Sequence, residues 1–194
     1  MPRKSGSWLA AMVSERDHVR GPATAAVTLV EYGDFECPYC GAAYPVVNAL
    51  EAHVGARLRL VYRHFPLDRI HPHAKLAAEA AEAAGAQGKF WEMHARLFEH
   101  QMELEGEDLV RHAAALRLDL DQFALELAEH THAERVAEDF TSGVRSGVNG
   151  TPTFFINGLR YDGPHGFESL MLAVEQASSP SSSQPPTLRA RRVG

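Results

Sequence analysis

Apolar positions along the chain follow two periods, and the changes between them divide it. Val27 to Tyr32 (VTLVEY) is a short β-branched and aromatic run. Leu58 to Phe65 (LRLVYRHF) alternates bulky and polar residues until Pro66 closes it, so both runs are predicted strands. Between them AAYPVVNALEAHV has helical spacing, which predicts a helix from Pro38 to about His53 with a kink at Pro45. The opening is β, α, β. The pattern then turns helical. His73 to Ala86 is alanine-rich, Phe90, Met93, His94, Leu97 and Phe98 recur on one helical stripe, and Leu109 to Leu116 and Gln122 to Glu129 are shorter candidates. Thr131 and Glu134 have capping-box spacing. They are expected to open a further helix with Val136, Phe140, Gly143, Val144 and Gly147 on one face, ended by Asn149-Gly150.

The period returns to two after that. Thr153 to Ile156 and Leu159 to Tyr161 flank Asn157-Gly158, a strong hairpin signal, and Phe167, Leu170, Met171 and Val174 mark one more amphipathic helix. The predicted organisation is an α/β fold. Residues 1–16 form an N-terminal arm, 17–70 and 149–176 carry the strands, 71–148 are an all-helical insertion, and 177–194 are a tail. The tail reads ASSPSSSQPPTLRARRVG, whose Ser, Pro and Gln bury too little apolar area to offset ordering entropy, so disorder is expected there.

Composition narrows the function classes. With 194 residues, 45% hydrophobic and 23% charged, the chain can bury a core without staples and is neither fibrous nor low-complexity. A net charge of −6 disfavours nucleic acid or an anionic membrane surface as partner, leaving proteins or small molecules. The apolar run from Trp8 to Val13 is shorter than a signal-peptide core and meets Glu15, Arg16 and Asp17 at once, and no run approaches a membrane span. A cytoplasmic location without membrane insertion is expected.

The two cysteines, Cys37 and Cys40, form a Cys-Pro-Tyr-Cys motif between a predicted strand and a predicted helix. There the first sulfur meets the free N–H groups of the helix's first turn, where the dipole favours an anion. Pro38 suits the first helical position because its missing N–H would be unpaired anyway. Cys37 is thus the expected nucleophile, and Cys40, one turn on, the resolving thiol. Half of a zinc site is the competing reading. It needs two histidine ligands from the eleven present, such as His71 with His73 or His130 with His132. The strand-helix setting and Pro38 favour redox chemistry, and no metal or tightly bound cofactor is expected.

Beyond the motif, the chain from Asp17 to about Val174 resembles the DsbA-like branch of the thioredoxin superfamily, especially a group also found as soluble domains beside sodium/proton antiporters. The resemblance rests on DHVRGP (17–22), VEYGDFECPYC (30–40), YRHFPL (62–67), HPHAKLAAEAA (71–81), GKFWEMHARLF (88–98) and GVNGTPTFFING (147–158). It implies a thioredoxin fold with an inserted all-helical domain and thiol-disulfide oxidoreductase activity. It also implies a cis-proline at Pro152 facing Cys37, with Thr151 offering its backbone to an extended substrate. Glu31 stands where such proteins often carry a buried acid that moves protons for the second cysteine, and Arg63 or His64 would be its basic partner.

Substrate contacts are expected at Pro38, Tyr39, Thr151 and Pro152, with protein thiols and disulfides as partners and glutathione or a thioredoxin-type protein as recycling partner. Glu36 is expected as a solvated charge, Asp34 and Phe35 as turn and packing residues, His71 and His73 as cap or surface positions, and His94 as a satisfied core histidine. The Pro-Tyr dipeptide also suits a glutaredoxin-like, glutathione-linked reductase. A non-catalytic peptide-binding module is the reading from another class.

Overall fold

The computed structural model describes residues 7–179. Its five strands are β1 (His18–Arg20), β2 (Val27–Gly33), β3 (Leu58–His64), β4 (Thr153–Ile156) and β5 (Leu159–Tyr161), in the order β1-β3-β2-β4-β5. β2 and β3 are parallel, with Val27 opposite Leu58 and Gly33 opposite His64, and the other pairs are antiparallel. Parallel neighbours need a crossover, and helix α1 (Pro38–Val54) supplies it.

Alternation along the strands sorts side chains onto two faces. On one, Leu29, Leu60 and Phe154 pack against Val47 and Leu50 of α1 and against Leu170 and Val174 of α7 (Phe167–Ser178). On the other, Val30, Tyr32, Val61 and Phe155 meet Phe65, Val148, Leu9 and Val13. Helices α2 (Ala74–Ala86), α3 (Phe90–Glu99), α4 (Gly106–Ala115) and α5 (Leu120–Ala128) form a bundle whose core takes in Phe35, Cys37, Cys40 and Tyr62. Helix α6 (Ala133–Arg145) instead covers the second sheet face. Phe140 stacks on Phe65 at 4.4 Å, and a Cβ on Gly143 would lie 2.6 Å from the Phe65 ring. Among the described residues no helix is long and apolar enough to cross a membrane.

Several expectations change. Helix α1 continues past Pro45, which lies inside it. Thr131 and Glu134 form no capping box: α6 starts at Ala133, its N-cap His132 makes no side-chain cap bond, and the box belongs to Glu105 and Asp108 at α4. Spacing alone matched both sites, but only the second has an acceptor side chain at an extended N-cap. Helix α6 ends at Arg145 rather than at Asn149-Gly150, and Val144 is exposed, because the buried stripe runs through Val136, Asp139 and Gly143. Gly147, at φ 81°, makes the turn after it. Ala177 and Ser178 complete α7, and the rest of the expected tail, 180–194, lies outside the described residues.

The expected arm is docked where it is described. Leu9 N–H donates to the Gly158 carbonyl at 2.8 Å, and Arg160 N–H donates to that of Ser7 at 2.9 Å. Arg63 fastens the segment from inside. Its guanidinium donates to both Asp17 carboxylate oxygens (2.7 and 3.2 Å), to the Ala11 and Met12 carbonyls and to the Tyr32 hydroxyl. The Arg63 and Asp17 side chains are only 3% and 5% exposed. A buried pair gains little over an apolar core, yet removing one partner strands the other charge. Arg63→Ala is therefore expected to lose about 3–5 kcal/mol in urea unfolding. A loss below about 1 kcal/mol, the scale of a surface pair, contradicts this role.

Candidate active site

The turn from Asp34 to Glu36 carries the chain from β2 into α1, and its polar groups are tied down. Buried Asp34 accepts hydrogen bonds from the backbone N–H of Glu36 (2.8 Å) and Leu67 (2.9 Å) and lies 2.7 Å from His71 Nδ1. Phe35 is buried against Tyr62 and Phe98, with ring centroids 5.3 and 4.9 Å away. Glu36 was expected in solvent. Instead it is half-buried, accepts from the His73 backbone N–H at 2.6 Å and lies 2.9 Å from His73 Nδ1. His73 is the N-cap residue of α2, as expected, but its side chain makes no cap bond there and instead, like that of His71, holds the turn before α1.

Cys37 is the N-cap of α1, in extended conformation (φ −71°, ψ 120°), and Pro38 is the first helical residue. An N-cap side chain normally accepts from the N–H groups two and three positions on. Cys37 makes no formal side-chain cap bond, but its sulfur stands close enough to these N–H groups for their partial charge to favour an anion. The Cys37 thiol is held down at about 5, first by a hydrogen bond from the Cys40 thiol, then, against the cost of burial, by Thr151 and the backbone N–H groups of Cys40 and Tyr39. The Cys40 thiol moves the other way: burial, its bond to Cys37 and the nearby Glu31 charge push it well above the ordinary thiol range. Both cysteines are free and buried, while Pro38 and Tyr39 are exposed, Tyr39 by 74%.

The loop before β4 closes the other side. The Thr151–Pro152 peptide is cis, and the Thr151 carbonyl accepts from Cys37 Sγ at 3.4 Å. A cleft of 320 Å³ beside it is lined by Thr151, Pro152, Arg160, Tyr161 and His165. A larger cavity of 520 Å³ lies between residues 10–17 and α6, and Arg63 reaches its wall.

Glu31 is 4% exposed, and burial raises its carboxyl from about 4.5 to about 8. It occupies the sheet face that packs α1, between Leu29 and Gly33 in the alternation. The basic partner expected on β3 is not there. Arg63 points to the opposite face and is engaged with Asp17, and His64 lies 2.9 Å from Glu82 Oε1. The β3 residue in register with Glu31 is Tyr62, whose buried hydroxyl has no hydrogen-bond partner. Arg20 supplies the countercharge felt by Glu31.

Gln101 was not foreseen. From the turn after α3 its Nε2 donates to the Phe35 carbonyl at 2.8 Å and the Cys37 carbonyl at 2.9 Å. A loop glutamine carries no periodicity or motif, and Gly41 directly after Cys40 was the one hint. His94 is buried as expected but not satisfied: neither ring nitrogen has a partner, and burial among Tyr62, Phe98 and Trp91 holds it neutral, well below the ordinary histidine range. Among the described residues, the grouping with metal-ligand proximity is His18, His64 and Glu82, in which both imidazole Nε2 atoms lie 2.9 Å from Glu82 Oε1. Neither cysteine belongs to it, so the histidine pairs invoked for a cysteine-zinc site do not converge on the motif.

A family model described as thioredoxin matches residues 13–176. The chain belongs to the thioredoxin family. Among solved structures similar to this thioredoxin-family chain, oxidised BdbD from Bacillus subtilis superposes with a TM-score of 0.77 at 21% identity, covering 89% of this chain and 96% of that one. A thioredoxin-like oxidoreductase from Silicibacter pomeroyi DSS-3 gives 0.72 at 29% identity, over 84% and 93%. The superposition spans the helical bundle, so the fold is the DsbA-like thioredoxin fold with its helical insertion. The Na(+)/H(+) antiporter NhaA 3 of Salinispora tropica is 54% identical over 163 residues, 84% of this chain and 25% of that protein. The chain spans about a quarter of the length of the curated relatives it matches.

Glu31 and Cys37 act oppositely on stability. With a carboxyl raised to about 8, the folded chain binds a proton that the unfolded chain releases above about 4.5, so this group's contribution falls as pH rises through that window. Cys37, lowered from 9.0 to about 5, contributes stability that grows with pH between those values and is lost as pH falls through 5. In the reduced protein the two slopes offset. Glu31→Gln is therefore expected to become more stable than the parent by about 1.4 kcal/mol per pH unit between pH 4.5 and 8 in urea titrations. A difference independent of pH contradicts the raised carboxyl.

Proposed function

We propose that this chain is a thiol-disulfide oxidoreductase acting on protein thiols and disulfides, with Cys37 as nucleophile and Cys40 as resolving thiol. The observation that carries the reading is the Cys37 sulfur in the N-cap position of α1, with the Cys40 thiol donating to it. A thiolate so held is both a nucleophile at neutral pH and a good leaving group.

The cycle balances without a cofactor. The Cys37 thiolate attacks a substrate disulfide, forms a mixed disulfide and releases one substrate sulfur as thiolate. Cys40 then gives its proton to the Glu31 carboxylate and attacks the Cys37 sulfur, which forms the Cys37–Cys40 bridge and releases the second thiolate. Two electrons pass from the pair to the substrate, and oxidation of a dithiol is the same path reversed. Exposed Pro38 and Tyr39, and the Thr151–Pro152 loop with its cleft, are the surfaces against which an extended substrate lies.

A thiol near 5 falls between thioredoxin, about 7, and DsbA, about 3.5, and an acidic thiol stabilises the dithiol form. The reduction potential is accordingly expected between about −270 and −120 mV in glutathione buffers. Cys40→Ala should accumulate mixed disulfides through Cys37 with a disulfide-bonded protein, visible on non-reducing gels, and Cys37→Ala should accumulate none. Absence of adducts in a folded Cys40→Ala protein, or trapping through Cys40 instead, contradicts the assignment.

A further inference from the structure

Gln101 bonds to the nucleophile's own residue from a different part of the fold. It follows α3 in the helical bundle, whereas the two carbonyls it meets, Phe35 and Cys37, belong to the turn between β2 and α1. An amide nitrogen carries two protons, enough for one bond to each carbonyl. The Cys37 carbonyl also accepts the first helical bond of α1, from Gly41 N–H at 3.0 Å. Gln101 therefore grips the turn at the peptide whose torsions aim the sulfur.

The other end of the side chain is fitted as closely. A Cβ built on Gly41 would lie 2.0 Å from Gln101 Oε1 and 2.6 Å from its Cδ. Gly41 sits inside α1, where alanine would be the better helix former. Its φ is not in the left-handed region, so backbone conformation does not require glycine there. What glycine leaves open is the space the glutamine amide occupies, and a methyl there would push the amide aside.

Two N–H donors on those oxygens fix the turn on which Cys37 sits and favour its extended N-cap conformation, which keeps the sulfur at the start of α1, where the helix dipole favours an anion.

We propose that Gln101 is a positioning residue for the chemistry at Cys37, and that Gly41 is the gap that admits it. The helical domain thereby sets the reactivity of a thiol carried by the thioredoxin domain. This rests on the reading of Cys37 as the nucleophile.

The test is the pH titration of Cys37 by thiolate ultraviolet absorbance in the reduced full-length chain, with circular dichroism to certify folding. Gln101→Ala is expected to move the midpoint up by about one pH unit, a tenfold loss of thiolate below it. Gln101→Glu keeps the shape but replaces donors by an oxygen and is expected to move it further. Gly41→Ala should match Gln101→Ala, because the added methyl displaces the amide, and in the Gln101→Ala background it should add nothing. A merely structural contact would lower stability and leave the midpoint in place.

Unchanged midpoints in folded Gln101→Ala and Gln101→Glu overturn the proposal while leaving the oxidoreductase reading intact. So does a Gly41→Ala shift that persists without Gln101. An ordinary midpoint in the parent chain overturns both readings. Should the Gln101 variants not fold, Gly41→Ala alone decides: an upward shift supports the latch, and none removes it.

Discussion

The site depends on where the chain places one sulfur, at the start of a helix, whose dipole favours an anion. The first-turn N–H groups of α1 have no partner within the helix, and Cys37 stands beside them at the N-cap position. Pro38 starts the helix without adding a donor. The sheet fixes where this happens, because the parallel pairing of β2 with β3 obliges the chain to leave β2, turn, and cross over through α1. Asp34, Phe35 and Glu36 then moor the turn to Leu67, Tyr62 and His73, each partner coming from a different segment. Few torsions near the cysteines are left free.

Burial does opposite things to the three groups around this turn. The Cys40 thiol and the helix terminus overcome its cost at Cys37, while at Cys40 and Glu31, both buried more deeply, burial prevails and favours the protonated form. The result is a graded set: a Cys37 thiol biased toward the anion, a neutral Cys40 thiol, and a carboxyl at about 8 that is mostly neutral and accepts a proton only in its minor ionised form. Tyr62 lies in register with Glu31 where a basic partner was expected, so no cation on β3 offsets the carboxyl and its neutral form is favoured. Exposed Tyr39 marks the surface above this buried set.

Much of this was legible in the residues. Periodicity located β2, β3, the hairpin strands β4 and β5 and most helices, because those segments bury one regular stripe each. The Cys-Pro-Tyr-Cys motif pointed to the N-cap geometry through the chemistry of proline and helix ends. Pairings across the fold were not legible. β1 is three residues long with no alternation of its own, and the Arg63–Asp17 pair joins residues far apart in sequence by contacts that no local pattern records. Glu36 looked solvated because its partner, His73, is brought to it only when the bundle docks. Gln101 is the same case, and there only Gly41, a poor helix former beside the motif, left a trace.

The central claim, that Cys37 is an anion at neutral pH because of where the chain places it, is tested most directly by its alkylation rate. Reduced full-length protein would be treated with iodoacetamide from about pH 4 to about pH 9, with the site and rate of labelling read by mass spectrometry. The rate at Cys37 is expected to rise with a midpoint at about 5, with Cys40 left unlabelled throughout. A midpoint at about 8.5, the value of an unperturbed thiol, or equal labelling of both cysteines, would contradict it.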